Sequence, residues 1–173
     1  METERANGKA SRVKELSIII PTYNEAANIP ELLERVETSL KGLEAEIVFV
    51  DDNSPDGTAE LAETLGEKYG NVKVLKRPYK MGLGSAVLHG VKLAEAEFVA
   101  VMDADLQHPP ELLPEMLEKV KQGYVLAVAS RYVEGGSKAG ASGGNSSQNV
   151  PRSWRTSCFR VRGRLRTLYR ASS

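Results

Sequence analysis

The chain has 173 residues, 41% of them apolar, which is enough for one globular domain with a substantial core. No apolar run approaches the length that spans a bilayer, the first residues are too polar for a signal peptide, and the single cysteine, Cys158, excludes a disulfide framework. The net charge of zero divides unevenly: residues 1–150 sum to −7, whereas residues 151–173 carry seven arginines and no acid.

Residues 1–15 read as a solvated leader. Leu16-Ser17-Ile18-Ile19-Ile20 predicts a strand stopped by Pro21, and Thr22-Tyr23-Asn24-Glu25 the loop after it. A helix follows with Ile29, Leu32, Leu33, Val36 and Leu40 on one face. The plan repeats: Ile47-Val48-Phe49-Val50 is an apolar run, Asp51 to Gly57 is a turn-rich loop, and Thr58 opens a helix carrying Leu61, Ala62 and Leu65. Val72-Lys73-Val74-Leu75 predicts the third strand. The basic loop behind it, with Arg77 and Lys80, reads as solvated rather than as a substrate clamp, and a helix is expected from Ser85. Residues 98–102 form the fourth strand, residues 111–121 an amphipathic helix, and Val125-Leu126-Ala127-Val128-Ala129 the fifth strand.

Continuous apolar strands alternating with amphipathic helices predict an α/β fold, a mostly parallel sheet with helices on both faces. In such sheets ligands bind beyond the carboxyl ends of the strands. Five polar clusters fall at these ends: Pro21-Tyr23-Glu25, Asp51-Asp52, Arg77-Lys80, Asp103 to Gln107 and Ser130-Arg131. In extended chain Asp103, Asp105 and Gln107 point to one side, and three hard oxygen donors suit Mg²⁺ or Mn²⁺. Taken alone, Asp-Ala-Asp could equally cap the next helix; its coincidence with the other clusters favours the metal reading. The glycine fingerprints of a dinucleotide site and of a P-loop are missing, which argues against NAD, flavin and ordinary ATPase chemistry.

Five stretches together carry a family resemblance. They are Ile18-Ile19-Ile20-Pro21-Thr22-Tyr23-Asn24-Glu25, Val50-Asp51-Asp52-Asn53-Ser54-Pro55-Asp56-Gly57-Thr58, Gly82-Leu83-Gly84-Ser85-Ala86, Met102-Asp103-Ala104-Asp105-Leu106-Gln107-His108-Pro109-Pro110-Glu111 and Ser130-Arg131-Tyr132-Val133-Glu134-Gly135-Gly136. Residues 16–136 thereby resemble the family 2 glycosyltransferases of GT-A fold, a Rossmann-like nucleotide-diphospho-sugar architecture, and within them the dolichyl-phosphate β-mannosyltransferases. The resemblance implies GDP-mannose as donor, a polyprenyl (dolichyl) phosphate as acceptor and a divalent cation, Mg²⁺ or Mn²⁺, as cofactor. It implies peripheral placement at the cytoplasmic face of a membrane, with room for a membrane-anchoring subunit, and no nucleic acid partner. By the same resemblance Pro21, Tyr23, Glu25, Val50 and Asp52 line the nucleoside pocket, and Asp103, Ala104 and Asp105 flank the diphosphate. Asp103, Asp105 and Gln107 hold the cation, and Arg131 engages phosphate, so that Asp105 and Arg131 are the catalytic residues.

The chemistry agrees with those residue types. A phosphate monoester is already an anion at neutral pH, so no strong general base is required, and none of the cluster residues is a His or Cys. Direct attack on the anomeric carbon inverts configuration. Two other readings stay open: a UDP-glucose enzyme with a polyprenyl-phosphate or glycan acceptor, and a non-catalytic nucleotide-binding fragment. Residues 137–173 read as a Gly/Ser linker and an Arg-rich tail without fold, a truncated or frame-shifted continuation of the family pattern.

Overall fold

The computed structural model describes residues 13–107, 109–129 and 157–160. Six strands form one sheet: β1 (Leu16–Thr22), β2 (Ala45–Asp51), β3 (Val72–Lys76), β4 (Phe98–Val101), β5 (Leu126–Val128) and β6 (Ser157–Arg160). Between them lie α1 (Ile29–Ser39), α2 (Thr58–Tyr69), α3 (Leu83–Leu93) and α4 (Leu113–Lys121), the last entered through a 3₁₀ turn at Pro110–Leu112. The sheet order is β3-β2-β1-β4-β6-β5. The first four strands are mutually parallel, and β6 runs antiparallel to both β4 and β5.

The apolar strands are continuous because both faces are covered. Ile18, Ile20, Ile47, Phe49, Ala100 and Met102 meet α1, α2 and α4 on one face; Ile19, Val48, Val50 and Val99 meet Ala86 of α3 on the other. Gly90 allows that second contact, since a Cβ placed there would lie 2.3 Å from Ile19 Cγ2. The chain passes from β1 to β2 to β3 in one direction and then returns to place β4 on the other side of β1. That reversal opens a crevice at the carboxyl ends of β1 and β4.

Four sequence expectations change. Pro21 does not end β1, which continues to Thr22 in register with Asp51. Pairing with β4 stops at Ile19 and Val101, and Ile19 and Pro21 face the same side, so the N–H that proline lacks has no ladder partner to lose. The helix expected from Ser85 begins at Leu83, after Gly82 at φ 89°. The fifth strand is shorter than expected and half open: Leu126 and Val128 are exposed. Finally, the Arg-rich tail contributes β6, whose Cys158 is fully buried between β4 and β5, so burial pushes its thiol up to about 11.

Candidate functional site

The loop after β1 and the loop after β2 are knitted together. Asp51 is buried at the tip of β2, where its carboxylate accepts hydrogen bonds from Thr22 Oγ1 at 3.0 Å, the Ser54 N–H at 2.8 Å and Ser54 Oγ at 2.6 Å. Ser54 Oγ in turn accepts from the N–H of Asn24, a residue in the left-handed region at φ 60°. Thr58 Oγ1 accepts from the Glu25 N–H at 2.9 Å, and Asp56 Oδ2 from the Ala26 N–H at 3.1 Å. The acidic pair noticed in the sequence is therefore two different devices. Adjacent residues of extended chain face opposite ways, so Asp51 binds loops and Asp52 faces a cavity.

Asp52 is 5% exposed, and its neighbours compensate its charge. Oδ2 accepts the N–H groups of Met81 (3.2 Å) and Gly82 (3.0 Å), and Oδ1 is ion-paired with Arg77. Arg77, expected in a solvated loop, is 3% exposed. Its guanidinium also donates to Ser85 Oγ at 2.6 Å and to the Gly82 carbonyl at 3.1 Å. The tips of β2 and β3 and the first turn of α3 are fastened to one another through this pair.

At the tip of β4, Asp105 Oδ1 accepts the Gln107 N–H at 3.0 Å, and Leu106 between them has φ 59°. A leucine in that region is strained, which marks a loop held in shape by its surroundings. Across the crevice, Asn28 Nδ2 donates to Glu25 Oε2 at 2.6 Å, and Lys80 Nζ lies 3.6 Å from the centroid of the Tyr23 ring.

These tips enclose a cavity of about 410 Å³. Of the residues named from the sequence, Pro21, Tyr23, Glu25, Asp52, Asp103, Ala104 and Asp105 line it. Val50 does not: it is fully buried and packs against α3, so its side chain faces the core. Gln107 is exposed beside the cavity and is not among its lining residues; Arg131 lies outside the described residues. The sequence reading missed Thr22, Lys80, Gly82, Leu83 and Ala86 on the wall. Thr22, Gly82, Leu83 and Ala86 stand within the stretches that carry the resemblance, and Lys80 in the basic loop, but none was assigned a role.

The lining is acidic, with Glu25, Asp103 and Asp105 set against Lys80. A phosphorylated ligand would meet repulsion there unless a cation came with it. Among the described residues no three His, Cys, Asp or Glu side chains gather as a metal set. Two carboxylates one residue apart are nevertheless the donor set that Mg²⁺ or Mn²⁺ accepts when substrate phosphates and water complete its shell.

Comparison with known proteins gives a consistent set of relatives. The profile of "Glycosyl transferase family 2" matches residues 17–169, reaching beyond residue 136 where the motif resemblance ends. A dolichol-phosphate mannosyltransferase of Pyrococcus furiosus is 53% identical over 121 residues, covering 70% of this chain and 34% of that protein. The dolichol-phosphate mannosyltransferase of Saccharomyces cerevisiae is 38% identical over 124 residues, covering 70% and 46%. Among solved structures, a mannosyltransferase from Pyrobaculum calidifontis in complex with GDP-Man and Mn²⁺ superposes with a TM-score of 0.50 at 27% identity, covering 55% of this chain and 28% of that one. This chain thus spans between a third and a half of the length of the curated relatives it matches.

Proposed function

The chain belongs to glycosyl transferase family 2, with an α/β sheet of the GT-A kind, and from that premise we propose that it forms the nucleotide-sugar site of a metal-dependent, inverting mannosyltransferase. The donor is GDP-mannose and the acceptor a polyprenyl (dolichyl) phosphate. One observation carries this reading: the tips of β1, β2 and β4 bring Tyr23, Asp52, Asp103 and Asp105 to one cavity at the reversal of strand order. The names of the Pyrococcus and yeast relatives support the sugar and the lipid phosphate, and the Pyrobaculum complex supports GDP-mannose with Mn²⁺.

Several of the cavity residues have a task on this reading. The exposed face of Tyr23 offers a stacking surface for the base, and Pro21 and the Gly82 turn confine it. Asp52 positions that turn through its two backbone hydrogen bonds. Asp103 and Asp105 would hold the divalent cation, with Gln107 beside them. When bound, the cation supplies positive charge next to the diphosphate leaving group, where negative charge grows as the sugar–phosphate bond breaks. Arg131 would contact phosphate with its planar fork. The acceptor phosphate attacks as the anion it already is, so the site has no need of a general base.

Among the described residues no helix is long and apolar enough to cross a membrane. On this reading the lipid-linked acceptor brings the enzyme to the cytoplasmic face of a membrane, where it works peripherally, alone or with an anchoring subunit. The test is mannosyl transfer from GDP-mannose to a short polyprenyl phosphate with Mn²⁺, comparing the chain with Asp105→Ala. The expected result is transfer that falls at least a hundredfold in the variant. Metal-dependent GDP binding without any transfer would reduce the chain to a nucleotide-binding fragment, and equal transfer by both proteins would remove Asp105 from the mechanism.

A further inference from the structure

Lys80 lies at a place where the nucleotide reading makes conflicting demands. Its ammonium sits 3.6 Å from the centroid of the Tyr23 ring, and both residues line the same cavity. Tyr23 is 39% exposed, so a ligand, as well as the lysine, can reach the ring. The backbone beneath Lys80 is fixed on either side: Arg77 is buried against Asp52, and the N–H groups of Met81 and Gly82 are bound to the same carboxylate. The stem of the side chain therefore starts from a set position, while its head rests on a π face. Such a contact is weak at an exposed site, whereas a hydrogen bond from an ammonium to an oxyanion is among the stronger ones. With Glu25, Asp103 and Asp105 on the same wall, Lys80 supplies the positive charge among the described lining residues.

Resting on the reading that the cavity takes a nucleoside diphosphate, we propose that Lys80 is an exchangeable clasp. In the free protein its ammonium covers the face of Tyr23. An entering nucleotide occupies that face with its base and draws the ammonium onto a phosphate oxyanion. Lysine suits such a transfer, because its charge is compact and its four-carbon stem has many rotamers. Two consequences follow with opposite signs. A ligand with phosphates gains a contact from Lys80, while a ligand with a base and no phosphate must displace the lysine and recovers nothing.

The experiment is calorimetric titration of the full chain with GDP and with guanosine, in Mn²⁺ throughout, for the unaltered protein, Lys80→Met and Lys80→Arg. Methionine keeps the apolar stem and removes the charge, and the position is exposed, so the fold is not at stake. Lys80→Met is expected to bind GDP roughly tenfold or more weakly, and guanosine roughly two- to fivefold more tightly. Lys80→Arg is expected to restore most of the GDP affinity. Changes of the same sign for both ligands, or no change for either, would overturn the clasp while leaving the nucleotide site standing. Farnesyl phosphate titrated into the same proteins separates the two sources of phosphate: if only its binding suffers in Lys80→Met, the lysine serves the lipid acceptor and the proposal is wrong. An unaltered protein that binds neither GDP nor guanosine defeats the nucleotide reading and the clasp together.

Discussion

The buried pair of Asp52 and Arg77 shows how much of the cavity wall depends on single side chains. Removing one partner of such a pair leaves an uncompensated charge out of water, which costs about 3–5 kcal/mol. Arg77→Met should therefore lower stability to urea by about that amount, and the double variant with Asp52→Asn should regain part of it, since neither charge is then stranded. At the opposite end of the strands, Glu46 binds Lys14, Lys73, Ser17 and the Glu95 N–H, and its side chain is fully buried. Burial by itself would raise its pKa, but these partners outweigh that and hold it at about 2, against an ordinary 4.5. A carboxylate with a depressed pKa stabilises the fold above its unfolded value and loses that contribution as the pH falls through its folded one. The stability difference between the unaltered protein and Glu46→Gln should thus be roughly 2–3 kcal/mol at pH 6 and shrink progressively between pH 4.5 and 2, measured by urea unfolding. At this scale the sequence was readable only where chemistry was local: of the three residues that extended spacing put on one side, Asp103 and Asp105 line the cavity, whereas Gln107, beyond Leu106 at φ 59°, is exposed, and Ala104, which also lines the cavity, was named by resemblance alone. It was not readable where a partner came from a distant strand. Nothing in the neighbourhood of Arg77 announces that Asp52 lies beside it, and a run of lysine, arginine and proline looks solvated until the third strand is placed.

The elements fit because a few positions are small or special. Gly90 lets α3 approach β1, and a methyl group there would meet Ile19 Cγ2 at 2.3 Å and Val50 Cγ2 at 3.2 Å. Gly90→Ala should cost about 1–3 kcal/mol by thermal or urea denaturation. Gly84 in the same helix has open space around its would-be Cβ, so Gly84→Ala should be neutral or stabilising by a few tenths of a kcal/mol. Helix periodicity made α1, α2 and α4 legible, because each buries one apolar stripe. The start of α3 was harder to place. It depends on Gly82 in the left-handed region and on Asp52 binding the N–H groups just before it, neither of which is a helix signal in the local sequence. β6 was missed for a related reason: four residues in an arginine-rich stretch become a strand only because β4 and β5 present edges on either side.

At the scale of the whole molecule, strand order is what turns scattered motifs into a site. Five apolar runs with helices between them predicted a parallel sheet, and the architecture follows that expectation closely for its first four strands. Periodicity carries no information about which strand lies beside which, and the rule that ligands gather beyond the carboxyl ends says only at which end of the sheet to look; the strand order, with its reversal between β1 and β4 where the cavity opens, comes from the structure. The site so formed is acidic, and on the proposed reading a diphosphate enters it together with a cation. Titration of GDP into the full chain, with Mn²⁺ and with chelator, tests this most directly when the unaltered protein is compared with Asp105→Ala. The account predicts that GDP binds with Mn²⁺, that chelation weakens it at least tenfold, and that Asp105→Ala binds weakly in both conditions. Equal affinity with Mn²⁺ and with chelator, unchanged by Asp105→Ala, would contradict it.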